Sequence, residues 1–150
     1  MYHFSYKTNI GMVTICANNR AITRIHLGEY RKEQEFETEL IKKAHVQLVE
    51  YLSGFRKQFD LNLEYVSTTF QLSVWNTLRK IPYGEVRSYK EIACGIENPK
   101  ACQAVGRACG KNPIPIFIPC HRVIGSTGSL VGYNGGVNIK RKLLEIEKCR

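Results

Sequence analysis

Cys120 and His121 are adjacent in the segment Pro119-Cys120-His121-Arg122-Val123. A thiol becomes a strong nucleophile when a nearby base draws its proton, because the thiolate is the form that attacks carbon. The preceding run Ile114 to Ile118 is apolar, broken only by Pro115, and predicts a buried strand that would hold the thiol in a rigid position. A lone Cys-His pair is also compatible with a structural cysteine. The surrounding residues must decide between the two.

The length and composition of the chain indicate an ordinary globular protein. Its 150 residues, 43% of them hydrophobic, suffice for one compact domain or two small ones. No apolar stretch reaches the roughly eighteen residues of a membrane span, and the N-terminus lacks a secretory signal pattern. We therefore expect a cytoplasmic protein, nuclear in a eukaryote, with no membrane partner. The six cysteines show neither a CxxC pair nor zinc-ligand spacing, so reduced thiols and no metal site are expected.

The positive charge is concentrated in the second half of the chain. Residues 1–65 contain nine Lys and Arg against eight Asp and Glu, a net charge of +1, whereas residues 66–150 contain thirteen against five, a net charge of +8. A localised basic excess is typical of proteins that bind a polyanion, with nucleic acid first. Solubility alone would also account for it. The Cys-His pair lies in this basic half.

Residues 1–65 predict a small N-terminal domain within an α+β protein. Three short segments with partial alternation, separated by turn-forming residues, predict an antiparallel sheet. These segments are Met1–Lys7, Met12–Ala17 and Ala21–Leu27. From about Arg31 to Ser53, apolar residues recur every four positions, which predicts an amphipathic helix that covers the sheet and ends at Gly54. The apolar positions of this helix are Phe36, Leu40, Ala44, Leu48 and Leu52. A further strand is expected at residues 59–63.

Residues 66–150 predict a mainly helical domain. Ser67 or Thr68 can cap a first helix, which ends before the turn at Ile81-Pro82-Tyr83-Gly84. The segment Ser88-Tyr89-Lys90-Glu91 has the spacing of a capping box and predicts a second helix that runs to Gly95. Pro99 follows an asparagine and predicts the start of a third helix that ends at Gly110.

The second and third helices are separated by a tight turn, as in a helix-turn-helix motif, although an ordinary helical hairpin has the same pattern. The third helix is narrow because most of its side chains are small: Ala101, Cys102, Ala104, Gly106 and Ala108. Only Gln103 and Arg107, four residues apart on one face, project far. Small residues permit close approach to a minor groove, and they equally permit close packing in a core.

The segment from Phe70 to Glu147 resembles the catalytic domain of the O6-alkylguanine-DNA alkyltransferases, also called methylated-DNA–protein-cysteine methyltransferases. The order and separation of several short stretches carry this resemblance over about half of the chain. These stretches are Phe70-Gln71, Val74-Trp75, Ile81 to Gly84, Ser88-Tyr89, Ala104 to Gly106, Asn112-Pro113, Pro119 to Val123, Gly132-Tyr133 and Gly135-Gly136. Residues 1–65 are only weakly similar to the variable N-terminal domain of the family.

The resemblance implies direct repair of DNA, in which the alkyl group on O6 of guanine moves once to Cys120. His121 would draw the thiol proton through a bound water, and Glu147 would orient the imidazole, as in a Cys-His-acid triad with an inserted water. Asn112 would brace the turn before the reactive segment. Tyr89 would crowd the target phosphate and promote flipping of the base. A thioether has no easily displaced group, so each molecule would act once, without a cofactor.

We expect a monomer, and the resemblance implies that it binds double-stranded DNA containing O6-alkylguanine. The narrow helix would enter the minor groove, and the backbone carbonyls of Cys120 and Val123 would accept from the guanine amino group. Small residues beside the pocket would leave room for alkyl groups larger than methyl. The residues implied in substrate binding are Tyr133, Asn134, Val123, Gly132 and Cys109. The residues implied in DNA binding are Tyr89, Ala101, Cys102, Gln103, Ala104, Arg107 and Arg122.

One position departs from the family pattern. Members usually carry arginine where this chain has Gln103, and that arginine replaces the extruded base. Glutamine lacks the guanidinium that stacks and makes charge-assisted contacts. The sequence therefore predicts slower repair, or a preference for single-stranded or distorted DNA, with Arg107 compensating one turn away. The alternative function is a sensor that binds alkylated DNA with little or no repair, and the presence of Cys120 disfavours it.

A cysteine hydrolase or acyltransferase is a further alternative. Adjacent residues in a strand point to opposite faces, so direct proton transfer from Cys120 to His121 would need a turn at His121. A transcription factor is disfavoured, because the third helix has few side chains that could read base edges.

Overall fold

The computed structural model describes residues 1–30, 34–130 and 132–148. The chain forms two compact units, an N-terminal unit Met1–Tyr65 and a C-terminal unit Val66–Arg150. The predicted α+β class is confirmed: the first unit has a small antiparallel sheet with a helix, and the second is mainly helical. None of the helices in the described residues has the length and hydropathy of a transmembrane span.

The sheet of the N-terminal unit is antiparallel and has the order β1-β2-β3. Its strands are β1 Tyr2–Thr8, β2 Gly11–Ala17 and β3 Ile22–Leu27, and helix α1, Glu39–Leu52, packs on it. The ring of His45 from α1 stacks on Tyr6 from β1 at 3.7 Å between centroids. Val13 pairs with Tyr6 across the sheet and is fully buried on the same face. The predicted covering helix therefore lies over the apolar face.

Helix α1 begins at Glu39 and not near Arg31, so the prediction of its start was wrong. Thr38 has extended backbone and caps the helix with its side chain. The N–H of Phe36 donates to the His3 carbonyl at 3.0 Å, so the chain before the cap runs beside β1. Phe36 is 62% exposed and lies outside the buried stripe. The expected helical residues 31–33 lie outside the described residues.

The end of α1 matches the prediction. Gly54 has φ +84°, in the left-handed region that glycine tolerates, and its N–H donates to the Tyr51 carbonyl at 3.0 Å. The strand expected at residues 59–63 is reduced to one parallel bridge between Leu63 and Ile22. The Ile22 N–H donates to the Asn62 carbonyl at 2.9 Å and the Glu64 N–H donates to the Ile22 carbonyl at 3.0 Å, so the segment pairs with β3 at this residue.

The described part of the C-terminal unit has four α-helices and a two-stranded parallel sheet. The elements are α2 Thr69–Leu78, β4 Arg87–Ser88, α3 Tyr89–Gly95, α4 Cys102–Gly110, β5 Val123–Ile124 and α5 Val137–Lys148. Thr68 caps α2 and Ser88 caps α3, as predicted, and each forms a reciprocal capping box, which the sequence indicated only at Ser88. Trp75 of α2 donates from its indole N–H to the Ala108 carbonyl of α4 at 2.9 Å, which ties these two helices together.

Helix α4 begins at Cys102, three residues later than predicted. Ala101 is its N-cap and makes no side-chain capping bond. Its N–H instead donates to the Asn98 carbonyl at 3.0 Å, so Pro99 lies in a turn before the helix. Helices α3 and α4 pack against each other. That this pair is a helix-turn-helix motif remains a prediction.

The run Ile114 to Ile118 is buried but is not the predicted strand. Its residues form turns with one isolated bridge between Pro115 and Ile118. The Ile118 N–H donates to the Ile114 carbonyl at 2.9 Å, and Ile116 has φ +76°. A β-branched residue in the left-handed region is strained. The run therefore folds back on itself instead of crossing the unit as a strand.

Candidate active site

Cys120 opens a short 3-10 turn, Cys120–Arg122, that joins the apolar run to β5. Direct proton transfer from Cys120 to His121 would require such a turn, because adjacent side chains in a strand point to opposite faces. The Cys120 residue is 3% exposed. Burial raises the pKa of the Cys120 thiol to about 11, while the Asn112 hydrogen bond and the Lys140 charge act in the opposite direction. The sulfur therefore carries a proton at neutral pH and needs a base.

Asn112 lies just beyond α4 and is 2% exposed. Its side-chain amide donates to the Cys120 sulfur at 3.1 Å and to the Ile118 carbonyl at 2.8 Å. Its side-chain oxygen accepts from the Ile114 N–H at 2.9 Å. One side chain thus fixes both ends of the apolar run and contacts the thiol.

His121 and Glu147 form a buried pair. His121 Nε2 lies 2.7 Å from Glu147 Oε2, and the two side chains are 0% and 1% exposed. With a carboxylate as the acceptor, Nε2 carries the proton, which leaves Nδ1 as the basic nitrogen of the neutral ring. Burial lowers the pKa of His121, with Glu147 opposing and with Arg122 and Lys140 reinforcing the shift. The ring is therefore neutral and able to accept a proton at pH 7.

Arg122, expected to contact DNA, is buried with its guanidinium bonded inside the C-terminal unit, and its contact with DNA stays a prediction. It is 8% exposed, and its Nε donates to Glu147 Oε1 at 2.9 Å. Its Nη1 donates to the Ile81 carbonyl at 2.8 Å. A basic residue in a basic half of the chain looks like a phosphate contact, but the carboxylate lies 25 residues away and local sequence does not reveal it.

Lys140 is the site residue that the sequence analysis missed. It is 1% exposed, and its ammonium donates to the Val123 carbonyl. Its charge acts to lower the pKa of both the Cys109 and the Cys120 thiol, against the larger effect of burial. Helical spacing could have found it, since residues 140, 143 and 147 share one face of α5 and the last two are also buried. In the sequence it stands in a basic run, residues 140–142, a pattern typical of exposed positions.

The Val123 carbonyl has one acceptor position occupied by Lys140. A carbonyl oxygen has two lone pairs, so one further donor can bind. The predicted contact from a guanine amino group therefore depends on that second position.

Tyr89 lies among the small residues that the sequence analysis singled out. A Cβ atom added at Gly132, where φ is +93°, would lie 3.4 Å from the Tyr89 hydroxyl, and one at Gly106 would lie 3.9 Å from its ring. The Lys140 ammonium is 6.0 Å from the ring centroid. Burial raises the pKa of Tyr89 to about 12, and the Cys109 and Cys120 thiols add to this shift. Tyr89, which is half-buried, and the buried residues Lys140, Cys109 and Cys120 thus form one cluster.

Cys109 belongs to the same cluster. It is 3% exposed, and the Asn112 N–H donates to its carbonyl at 3.3 Å. Burial raises the pKa of its thiol to about 12. Tyr133 is also buried, whereas Asn134 and Gly132 are exposed on the turn before α5.

The exposed face of α4 carries Gln103 and Arg107, as the pattern predicts. Cys102, Ala104 and Gly106 are half-buried beside them. Ala101 is 8% exposed and faces the interior. Its contact with DNA stays a prediction.

A buried thiol, a hydrogen-bonded His-Glu pair and an exposed narrow helix form the arrangement expected of a protein that uses cysteine as a nucleophile. Two family models match the chain. The model described as "6-O-methylguanine DNA methyltransferase, ribonuclease-like domain" matches residues 1–65. The model described as "6-O-methylguanine DNA methyltransferase, DNA binding domain" matches residues 69–149 and so includes the whole site.

Individual relatives agree with these models. A methylated-DNA–protein-cysteine methyltransferase of Methanosarcina acetivorans is 42% identical over 153 residues, covering 98% of both chains. The constitutive one of Bacillus subtilis is 41% identical over 157 residues, covering 98% of this chain and 95% of its own. A crystal structure of Mycobacterium tuberculosis OGT in complex with DNA matches with a TM-score of 0.93 and 42% identity, covering 99% of this chain and 94% of that one. The chain belongs to the 6-O-methylguanine DNA methyltransferase family.

Proposed function

We propose that this protein is a methylated-DNA–protein-cysteine methyltransferase that repairs O6-alkylguanine in DNA by a single transfer to Cys120. The observation that carries the proposal is the joint placement of Cys120, Asn112 and the His121–Glu147 pair inside one family-matched unit. A soft thiolate suits displacement at a saturated carbon.

The reaction follows from these contacts. Neutral His121 takes the thiol proton through a water, and Glu147 stabilises the resulting imidazolium. The thiolate forms an S–C bond as the C–O6 bond breaks, and guanine leaves with the electron pair. The proton lost by Cys120 is returned to the guanine, so the products are a thioether and unmodified guanine. Because a thioether is a poor substrate for displacement, each molecule reacts once.

DNA is the partner that fits the charge and the relatives. Residues 66–150 carry a net charge of +8, and the Mycobacterium tuberculosis relative was crystallised in complex with DNA. The target atom lies inside the stack, so the base must flip out, at a cost of a few kcal/mol that is smaller for a weakly paired base. In this proposal the C-terminal unit carries both the DNA contacts and the reaction. A monomer suffices, in the cytoplasm or, in a eukaryote, the nucleus.

Tyr89 and α4 would act on the flipped nucleotide. Tyr89 lies in the cluster around Cys120 and would crowd the target phosphate. Gln103, exposed on α4, would fill the gap left by the base. Tyr133, Asn134 and Cys109 would line the pocket.

The test is intact-mass spectrometry after incubation with a duplex that contains O6-methylguanine. The wild-type protein should gain about 14 Da, the mass of a methyl replacing a hydrogen, and Cys120→Ser should gain nothing. Cys94→Ser is the matched control, because Cys94 is exposed and lies outside the cluster. Binding of the damaged duplex without any mass change would replace the proposal by the sensor function.

A further inference from the structure

The carboxylate of Glu147 is shared by two side chains of the reactive turn. Its Oε2 accepts from His121 at 2.7 Å and from Arg122 Nη2 at 3.1 Å, and its Oε1 accepts from Arg122 Nε at 2.9 Å. Arg122 therefore holds both oxygens in the bidentate geometry that guanidinium and carboxylate prefer. His121 therefore bonds to a carboxylate whose two oxygens are both held by Arg122.

The turn at residues 81–84 fixes both members of this ion pair. The Ile81 carbonyl accepts from Arg122 Nη1 at 2.8 Å, and the Gly84 N–H donates to Glu147 Oε1 at 3.1 Å. The Arg122 guanidinium lies 5.7 Å from the ring centroid of Tyr83. The sequence predicts the Ile81–Gly84 segment only as the end of a helix. In the structure it orients Glu147, which bonds His121, and Arg122, which bonds Glu147.

A buried carboxylate alone would work against a histidine base. An anion 2.7 Å from the ring favours imidazolium, because charges attract strongly in a low-dielectric interior. An imidazolium has no lone pair with which to take the thiol proton. Arg122 neutralises the Glu147 charge, so the carboxylate can accept a hydrogen bond without forcing a second proton onto the ring.

The other charged groups around His121 would remain unchanged if Arg122 were replaced. Helix α5 contributes Glu147 and Lys140, and Lys140 also disfavours the imidazolium. Helix α2 packs against the reactive turn but has no charged residue between Thr69 and Leu78. Cys120, next along the chain, is protonated at neutral pH. Arg122 is the cation that also bonds the shared carboxylate.

We infer that Arg122 is a positioning residue for alkyl transfer, which holds both oxygens of Glu147 and thereby keeps His121 neutral and oriented near neutral pH. The kinetic part of this inference rests on the proposed function. The effect on the protonation of His121 does not, and it can be measured in the absence of any substrate.

The direct experiment is an NMR titration of the imidazole of His121 in the full chain, labelled with 15N-histidine. In Arg122→Met we expect the midpoint to rise by about one pH unit, since a cation that disfavours imidazolium is lost. Arg122→Gln is the second variant, because it lacks charge but keeps donors for Glu147 and is more readily folded. Arg141→Gln removes an exposed cation of α5 and should leave the midpoint unchanged.

The kinetic experiment is single-turnover transfer at pH 6 and pH 8. The rate at pH 6 divided by the rate at pH 8 should be several-fold smaller in both neutral Arg122 variants than in the wild-type protein. The reason is that more of the imidazole is protonated at pH 6 in the variants. A merely structural role would lower both rates by the same factor. A wild-type midpoint for His121 in either folded variant would overturn the inference. A shifted midpoint in a protein that never accepts an alkyl group would uphold the effect of Arg122 on the protonation of His121 and overturn the proposed function.

Discussion

The side-chain amide of Asn112 donates to the Cys120 sulfur at 3.1 Å while its oxygen accepts from the Ile114 N–H at 2.9 Å. The residue that contacts the reactive atom is therefore also the residue that shapes the loop before it. Loss of Asn112 should be felt in both stability and chemistry.

Asn112→Ala is expected to destabilise the C-terminal unit by about 1–3 kcal/mol, because buried backbone groups lose their partners. It should also slow alkyl transfer, since the thiolate loses a hydrogen bond. Urea unfolding followed by the fluorescence of Trp75, the only tryptophan, measures the first effect. Asn138→Ala, on the exposed face of α5, is the control. An unchanged free energy of unfolding would contradict the bracing role.

Lys140→Met is expected to slow alkyl transfer about tenfold, the factor that corresponds to one pKa unit of the nucleophile. The Lys140 charge lowers the pKa of Cys120, so its loss raises that pKa and reduces the thiolate fraction. Single-turnover rates between pH 7 and 9 measure the change. Lys142→Met, an exposed cation two residues along α5, should transfer at the wild-type rate. Equal rates in both variants would remove Lys140 from the mechanism.

Gly132→Ala is expected to cost about 1–2 kcal/mol of stability, the usual penalty for placing an L residue in the left-handed region. The residue has φ +93°, and its new methyl group would lie 3.4 Å from the Tyr89 hydroxyl. Alkyl transfer should fall as well if Tyr89 is displaced. Gly110→Ala, which has open space and no positive φ, should be neutral or slightly stabilising. Unfolding curves for the two variants that coincide would refute the argument.

Gln103→Arg is expected to raise the rate of transfer from duplex DNA about tenfold, the factor that 1.4 kcal/mol of added transition-state binding provides. The guanidinium can stack and make charge-assisted contacts that an amide cannot. The rate on single-stranded DNA should change little, because no base pair has to be opened. Arg107→Gln tests the compensating role and should slow the duplex reaction further. Unchanged duplex and single-strand rates in Gln103→Arg would show that this position does not limit repair.

Local patterns predicted the starts of α2 and α3. The capping boxes at Thr68 and Ser88 involve residues three positions apart, so the necessary information is contained in one short segment. The cap at Thr38 was missed because periodicity continued through Phe36, while a backbone bond to His3 holds that segment against the sheet. Long-range pairing overrode the local signal.

In the candidate site, too, a recognisable motif predicted some residues, whereas residues held by long-range contacts were not predicted. The family motif located Cys120, His121, Glu147 and Asn112, which the structure brings together. The environment of Arg122 was not predictable from its neighbours, because its charge is matched by a carboxylate 25 residues away. Lys140 was missed for a similar reason: its acceptor lies 17 residues earlier in the chain.

The burial of Cys120 at 3% exposure has a consequence for a protein that reacts only once. Oxidants, quinones and other small electrophiles dissolved in the cell meet a protonated sulfur behind protein atoms, and they consume accessible thiolates first. The acceptor site is thereby kept intact until a nucleobase is delivered to it. The low reactivity of the Cys120 thiol thus favours reaction with a delivered nucleobase over reaction with dissolved electrophiles.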